Sequence, residues 1–265
     1  MTYRLGIFAT GRGQGSRGLL QAMHEAIQSG HLPATIAFVF SNRERGEFEP
    51  TDSFFDLVQS YGYPLVTSSF RRFRSRVGAA GDWRTLYDRE VMEKLAPHNP
   101  DLCVLAGYLL IVGPELARRY TIVNLHPAAP GGPTGMWQGV IWQLIERQAR
   151  SSGNTIFYAT KELDRGPVVA YATYPIRGVH FDPSWKAIEG RSVADLKARE
   201  GEDLPLFQLI RQHGMLRERP LVVETLKSFA EGRIRVAQGE VLNGTGKPLA
   251  GLDLTAQIEA LVAKV

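Results

Sequence analysis

The chain of 265 residues contains a single cysteine, Cys103. No disulfide can therefore form within it, and disulfide scaffolds and cysteine-ligated metal centres are excluded. The apolar neighbours Leu102 and Val104 mark Cys103 as a buried strand residue. Long apolar runs are also missing. The longest, residues 103–112, is interrupted by Gly107 and reaches about half of the ~20 residues that a bilayer-spanning helix needs. The opening Met1-Thr2-Tyr3-Arg4-Leu5 lacks the apolar stretch and small-residue cleavage site of a secretory signal, so the expected location is the cytoplasm. There is no internal repeat and no low-complexity tract. Charge of one sign is scarce too: 31 Lys and Arg against 27 Asp and Glu give +4. That balance favours anionic partners without choosing among phosphorylated metabolites, nucleic acid and acidic surfaces.

The composition is that of a globular protein, with 44% hydrophobic and 22% charged residues. Residues 5–9 read as a buried strand, followed by a glycine loop and a helix over about 16–29. In that helix Leu19, Leu20, Met23, Ala26 and Ile27 share one face. Residues 35–40 are continuously apolar or β-branched, as in a strand covered on both faces. A helix near 53–60, a strand at 64–67, a helix at 84–95 and strands at 102–105 and 122–125 continue the alternation. The pattern predicts an α/β fold built on a doubly wound, mainly parallel sheet. Residues 155–158 and 168–174 are expected as antiparallel additions, and helices are expected over 140–150, 204–212 and 220–231. The domain expectation is a catalytic domain over 1–235 and a C-terminal appendage over 236–265.

Three segments carry chemistry. The first is Gly11-Arg12-Gly13-Gln14-Gly15-Ser16-Arg17-Gly18, where the first strand meets the first helix. Glycines admit close backbone approach, the free N–H groups of a helix start favour an anion, and Arg12 and Arg17 add charge. The second strand ends in Ser41-Asn42 with no acidic residue for a ribose diol, so a monophosphate is preferred to a dinucleotide. The second segment is Asn124-Leu125-His126-Pro127. Strand alternation puts Asn124 and His126 on one side, about 6 to 7 Å apart along the strand. An amide donor beside an imidazole suits oxyanion stabilisation with proton transfer, although a lone strand-end histidine is more often structural. The third segment holds Asp164 in a Gly/Pro turn, a common setting for a solvated turn former. It gains meaning only if the fold brings it near His126.

Taken together, the segments resemble the folate-dependent formyltransferases, most closely the branch that formylates glycinamide ribonucleotide in purine synthesis. The matching residues are Gly15-Ser16 with Leu20-Gln21-Ala22, Pro100-Asp101-Leu102 through Gly107-Tyr108 and Ile111, Asn124-Leu125-His126-Pro127, and Leu163-Asp164 with Gly166-Pro167. The match is firm over residues 3–175 and implies a Rossmann-like fold. The resemblance implies 10-formyltetrahydrofolate as co-substrate and no metal. It also implies Asn124, His126 and Asp164 as catalytic residues, with Leu110, Ile111, Val112 and Asp164 holding folate and Gly13, Gly15, Ser16 and Arg17 holding the acceptor's phosphate. Expected partners are small molecules, with no membrane, nucleic acid disfavoured and the oligomeric state open.

Several residues depart from the family pattern. Leu109-Leu110 replaces Met-Arg, Phe157 stands where a histidine is common, and a mobile glycine-rich stretch over 128–135 replaces Ser-Leu-Leu-Pro. Residues 181–203 read as an insertion. These changes bear on the acceptor. Competing readings keep the folate chemistry but change the acceptor to an amino sugar, a charged tRNA or water, or retain binding without catalysis. Arg71, Arg72, Arg74 and Arg76 form a basic segment best read as a solvated face, and Trp137 and Trp142 are expected to pack.

Overall fold

The computed structural model describes residues 2–78, 81–160 and 166–264. Its elements follow in chain order: β1 (Tyr3–Ala9), α1 (Gln14–Gln28), β2 (Ala34–Ser41), α2 (Glu49–Ser60), β3 (Leu65–Thr67), α3 (Phe70–Val77), α4 (Trp83–Leu95), β4 (Leu102–Leu105), α5 (Pro114–Arg119) and β5 (Ile122–His126). Then come α6 (Trp137–Glu146), β6 (Ser151–Tyr158), β7 (Val168–Pro175), α7 (Asp182–Ala187), α8 (Val193–Arg199), α9 (Pro205–Ala230), β8 (Ile234–Ala237), β9 (Glu240–Asn243), β10 (Leu252–Asp253) and α10 (Thr255–Val262). The chain divides into two compact units. One comprises Met1–Asn124, Phe157–Pro167 and Val223–Leu249, the other Leu125–Ile156, Val168–Val222 and Ala250–Val265.

The first unit is the parallel sheet that the alternation predicts, with strand order β5-β4-β1-β2-β3 and these neighbours paired in parallel. Leu5, Ile7, Phe8 and Ala9 of β1 are all fully buried. Both faces of the strand are covered, which is why the sequence shows an unbroken apolar run and no alternation. Gly6 in the middle of β1 leaves room for the Phe38 ring and the Cys103 sulfur of the flanking strands. Cys103 is buried, and burial pushes its thiol pKa up, away from reactivity. The basic segment is α3, capped by the Ser69 hydroxyl, which accepts the Arg72 N–H at 3.1 Å. Its arginines are paired: Arg72 with Glu44 at 2.6 Å, Arg76 with Glu90, Arg71 with Glu47 at 3.8 Å, and Arg74 over the Trp83 ring. Three of the four charges thus meet carboxylates, while Arg74, its Nη1 buried without a hydrogen-bond partner, is held over an aromatic ring. An antiparallel hairpin, β8–β9, also belongs to this unit.

In the second unit β7 lies between β6 and β10. Only residues 159–167 join β6 to β7, too few for the crossover that parallel neighbours need. The Tyr158 N–H donates to the Pro167 carbonyl at 2.9 Å across that connection. The strand β10 is parallel to β7, so not every addition here is antiparallel. Residues 181–203 are woven into the core: Phe181, Trp185, Ile188 and Leu196 are buried with Val140, Trp142 and Phe207. Trp137 and Trp142 both pack on Phe207, with ring centroids 5.9 and 4.9 Å away.

The two helices expected over 204–212 and 220–231 are a single helix, α9, with Pro220 inside it. Proline removes the hydrogen bond to the residue four back, and Leu216 lies on an exposed side where that loss is cheap. The buried Leu221, Val222, Leu226 and Phe229 then hold the second half in register. No helix among the described residues is long and apolar enough to cross a membrane.

Candidate active site

After β4 the chain crosses to α5 through residues 106–113, and three residues of the first unit, Thr10, Ser16 and Asp88, fix that crossing. The Thr10 N–H donates to the Gly107 carbonyl at 3.1 Å, and the Thr10 hydroxyl accepts the Leu109 N–H at 2.9 Å. Ser16, buried, packs against Gly107, whose φ of +71° suits glycine and whose Cα has no space for a side chain. At the far end Asp88 of α4, also buried, accepts the N–H groups of Glu115 and Leu116 at 3.1 Å each. It caps α5 from another helix, because the N-cap residue Gly113 has no side chain and no room for one. Burial raises the Asp88 carboxyl above its ordinary range, although the Leu116, Glu115 and Gly113 N–H groups pull the other way.

Held at both ends, the crossing presents Leu110, Ile111 and Val112 to a cleft that Asn124, Tyr108 and Phe157 also line. The Ala159 N–H donates to the Ile122 carbonyl at 2.8 Å, which lays residues 157–160 beside the start of β5. The cleft's walls are largely apolar, and the space they enclose is about 70 Å³. Phe157 contributes a ring that cannot exchange a proton.

The glycine loop stands at the start of α1. Gly13 is the N-cap, in extended conformation and without a side-chain cap, and there is no acidic residue in the first turn. Space around the Cα atoms of Gly13 and Gly15 is open. The Arg17 guanidinium donates to the Pro50 carbonyl at 3.0 Å, tying the loop to α2. This arrangement attracts an anion at the helix start.

His126, at the end of β5, belongs to the second unit and is buried, with Nε2 2.8 Å from the Pro133 carbonyl. A carbonyl only accepts, so Nε2 carries the hydrogen. The glycine-rich stretch over 128–135 is anchored rather than loose. Besides the His126 contact, the Thr155 hydroxyl donates to the Ala128 carbonyl at 2.7 Å and the Gly132 N–H to the Ala129 carbonyl at 2.9 Å. The glycine loop, Asn124 and residues 110–112 thus share the first unit, His126 falls in the second, and Asp164 lies outside the described residues. Sequence reasoning missed Thr10 and Asp88. Thr10 carried one signal, its place between an apolar strand and the glycine loop, whereas Asp88 sits mid-helix and carried none.

A family profile described as formyl transferase matches residues 7–183. Over 246 residues the chain is 26% identical to the phosphoribosylglycinamide formyltransferase of Escherichia coli (strain K12), covering 90% of this chain and 94% of that one. It is 28% identical over 155 residues to the formyltetrahydrofolate deformylase of Bacillus subtilis (strain 168), covering 57% of this chain and 45% of that one. Among solved structures, the phosphoribosylglycinamide formyltransferase of Coxiella burnetii superposes with a TM-score of 0.66 at 23% identity, covering 96% of this chain and 99% of that one. That likeness shows the fold.

Proposed function

Because the chain belongs to the formyl transferase family of folate-dependent enzymes, we propose that it transfers the formyl group of 10-formyltetrahydrofolate to the amine of glycinamide ribonucleotide, a step of purine synthesis. The observation that carries the reading is the joining of two loops in the first unit. The crossing that presents Leu110, Ile111 and Val112 is tied through Gly107 and Leu109 to the segment holding the glycine loop. One loop suits a pterin, the other a phosphate.

In this reading the acceptor amine attacks the formyl carbon and the formyl oxygen takes up negative charge. The Asn124 amide donates to that oxygen. His126 commits its Nε2 hydrogen to Pro133, so donation from its other nitrogen requires the imidazolium, and that charge adds to oxyanion stabilisation. Asp164, assigned by resemblance, supports the imidazolium and passes the proton from the attacking nitrogen through water to N10 of the folate. The bond from N10 to the formyl carbon then breaks, giving tetrahydrofolate and the formylated amide.

Water in place of the amine gives the alternative, hydrolysis to formate, which the likeness to a deformylase keeps in view. The glycine loop favours a phosphorylated acceptor over water. The test follows loss of 10-formyltetrahydrofolate with no acceptor, with glycinamide ribonucleotide, and with amino sugars or aminoacyl-tRNA. Turnover that depends on the ribonucleotide supports the proposal, and acceptor-independent loss replaces it with the hydrolase.

A further inference from the structure

We propose that Thr10 is a positioning residue that locks the donor-side crossing and the acceptor-side glycine loop into one frame. The inference rests on the functional reading above and extends it to a residue that touches neither substrate. Thr10 is almost fully buried and uses every polar group it has. Its N–H donates to the Gly107 carbonyl at 3.1 Å, and its carbonyl accepts the Thr51 hydroxyl at 3.2 Å. Its hydroxyl accepts the Leu109 N–H at 2.9 Å and donates to Asn42 Oδ1 at 2.8 Å.

Three segments therefore meet at one side chain: the end of β1, the β2 exit at Asn42, and the crossing after β4. A hydroxyl is the smallest group that both donates and accepts, and the two partners here need one of each. Leu109 immediately precedes the residues that line the cleft, and Thr10 immediately precedes Gly11. A shift in one loop is thus transmitted to the other through two bonds.

Valine has the shape of threonine without its hydroxyl. Thr10→Val leaves the buried Asn42 Oδ1 without this partner and frees the Leu109 N–H from its anchor, and the crossing relaxes to find others. Thr10→Ser keeps both bonds and loses only a methyl group. Binding of tetrahydrofolate, the unreactive product, is measured by calorimetry on both variants and the parent protein, alongside the donor KM and kcat. The expected result is a Kd and donor KM raised about tenfold in Thr10→Val, a smaller change in kcat, and near-parent values in Thr10→Ser. Equal binding by Thr10→Val and the parent overturns the inference and leaves the functional reading standing. Equal weakening in both variants assigns the effect to packing and also overturns it. A parent protein that binds no tetrahydrofolate sinks the functional reading, and this inference with it. If circular dichroism shows that Thr10→Val does not fold, Thr10→Ala is compared with Thr10→Ser on the same terms.

Discussion

Nε2 of His126 lies 2.8 Å from the carbonyl oxygen of Pro133, seven residues further along the chain. The bond fixes which ring nitrogen carries a hydrogen in the neutral form and holds the imidazole plane, so the ring is oriented before any substrate arrives. His126→Ala removes it. The expected effect is a fall in kcat of ~10² or more with an unchanged far-ultraviolet spectrum. A variant within a fewfold of the parent removes His126 from the mechanism.

Gly107→Ala tests the joint between the loops from the backbone side. Its φ of +71° and the overlap of any side chain with the Ser16 hydroxyl both oppose the substitution. The expected cost is about 1–3 kcal/mol, read as a lower urea midpoint at unchanged slope. The donor KM rises with it, because the crossing over 106–113 moves.

Arg217 of α9 is buried and forms a two-pronged pair with Glu259 of α10, at 2.6 and 2.7 Å, while also donating to the His213 carbonyl at 2.8 Å. Its guanidinium lies over the Tyr174 ring, 4.4 Å from the centroid. Arg217→Ala is expected to cost about 1–3 kcal/mol, below the figure for a fully buried pair because Glu259 is partly exposed. Truncation before α10 should cost at least as much, since it also removes the fully buried Ile258 from the core. Chemical denaturation of both variants gives the comparison.

His213 supplies the pH dependence. Burial lowers its pKa below 6.5, Arg217 and His180 lower it further, and Glu259 opposes them. The rings of Phe181 and Tyr174 complete its surroundings. A histidine depressed in the folded state binds fewer protons there than when unfolded, so stability rises as pH climbs toward and through 6.5. The midpoint of thermal unfolding should therefore rise from pH 5 to about 7, and His213→Gln should flatten that rise. A parallel slope in both proteins removes His213 as its source.

These residues also mark how far the sequence could be read. Strands β1, β2 and β4 were legible because burial on both faces writes itself as an unbroken apolar run, whereas β5 was read from Ile122, Val123 and Leu125 with Asn124 and His126 among them. The segment over 110–112 was named from the resemblance and Asn124 from its place beside His126 on the strand, and they line one cleft. Pro220 misled, because its local rule against helix interiors was outweighed by the buried Leu221, Val222, Leu226 and Phe229 beyond it. The helix α3 was read only as a basic segment: its apolar stripe is three residues long, Phe70, Phe73 and Val77, and four arginines stand between them. The two residues of β10 are too few for any period. The roles of Thr10 and Asp88 were hidden for a different reason: the main-chain groups they hold lie 99 and 27 to 28 residues away, and only the fold brings them together.

The central claim concerns where the formyl group goes. The most direct measurement supplies 10-formyltetrahydrofolate labelled with carbon-13 in the formyl group, together with glycinamide ribonucleotide, and follows the label by NMR as tetrahydrofolate appears. Label entering the amide of the formylated ribonucleotide, mole for mole with tetrahydrofolate, is the predicted result. Label entering formate at the same rate whether or not the ribonucleotide is present contradicts the account.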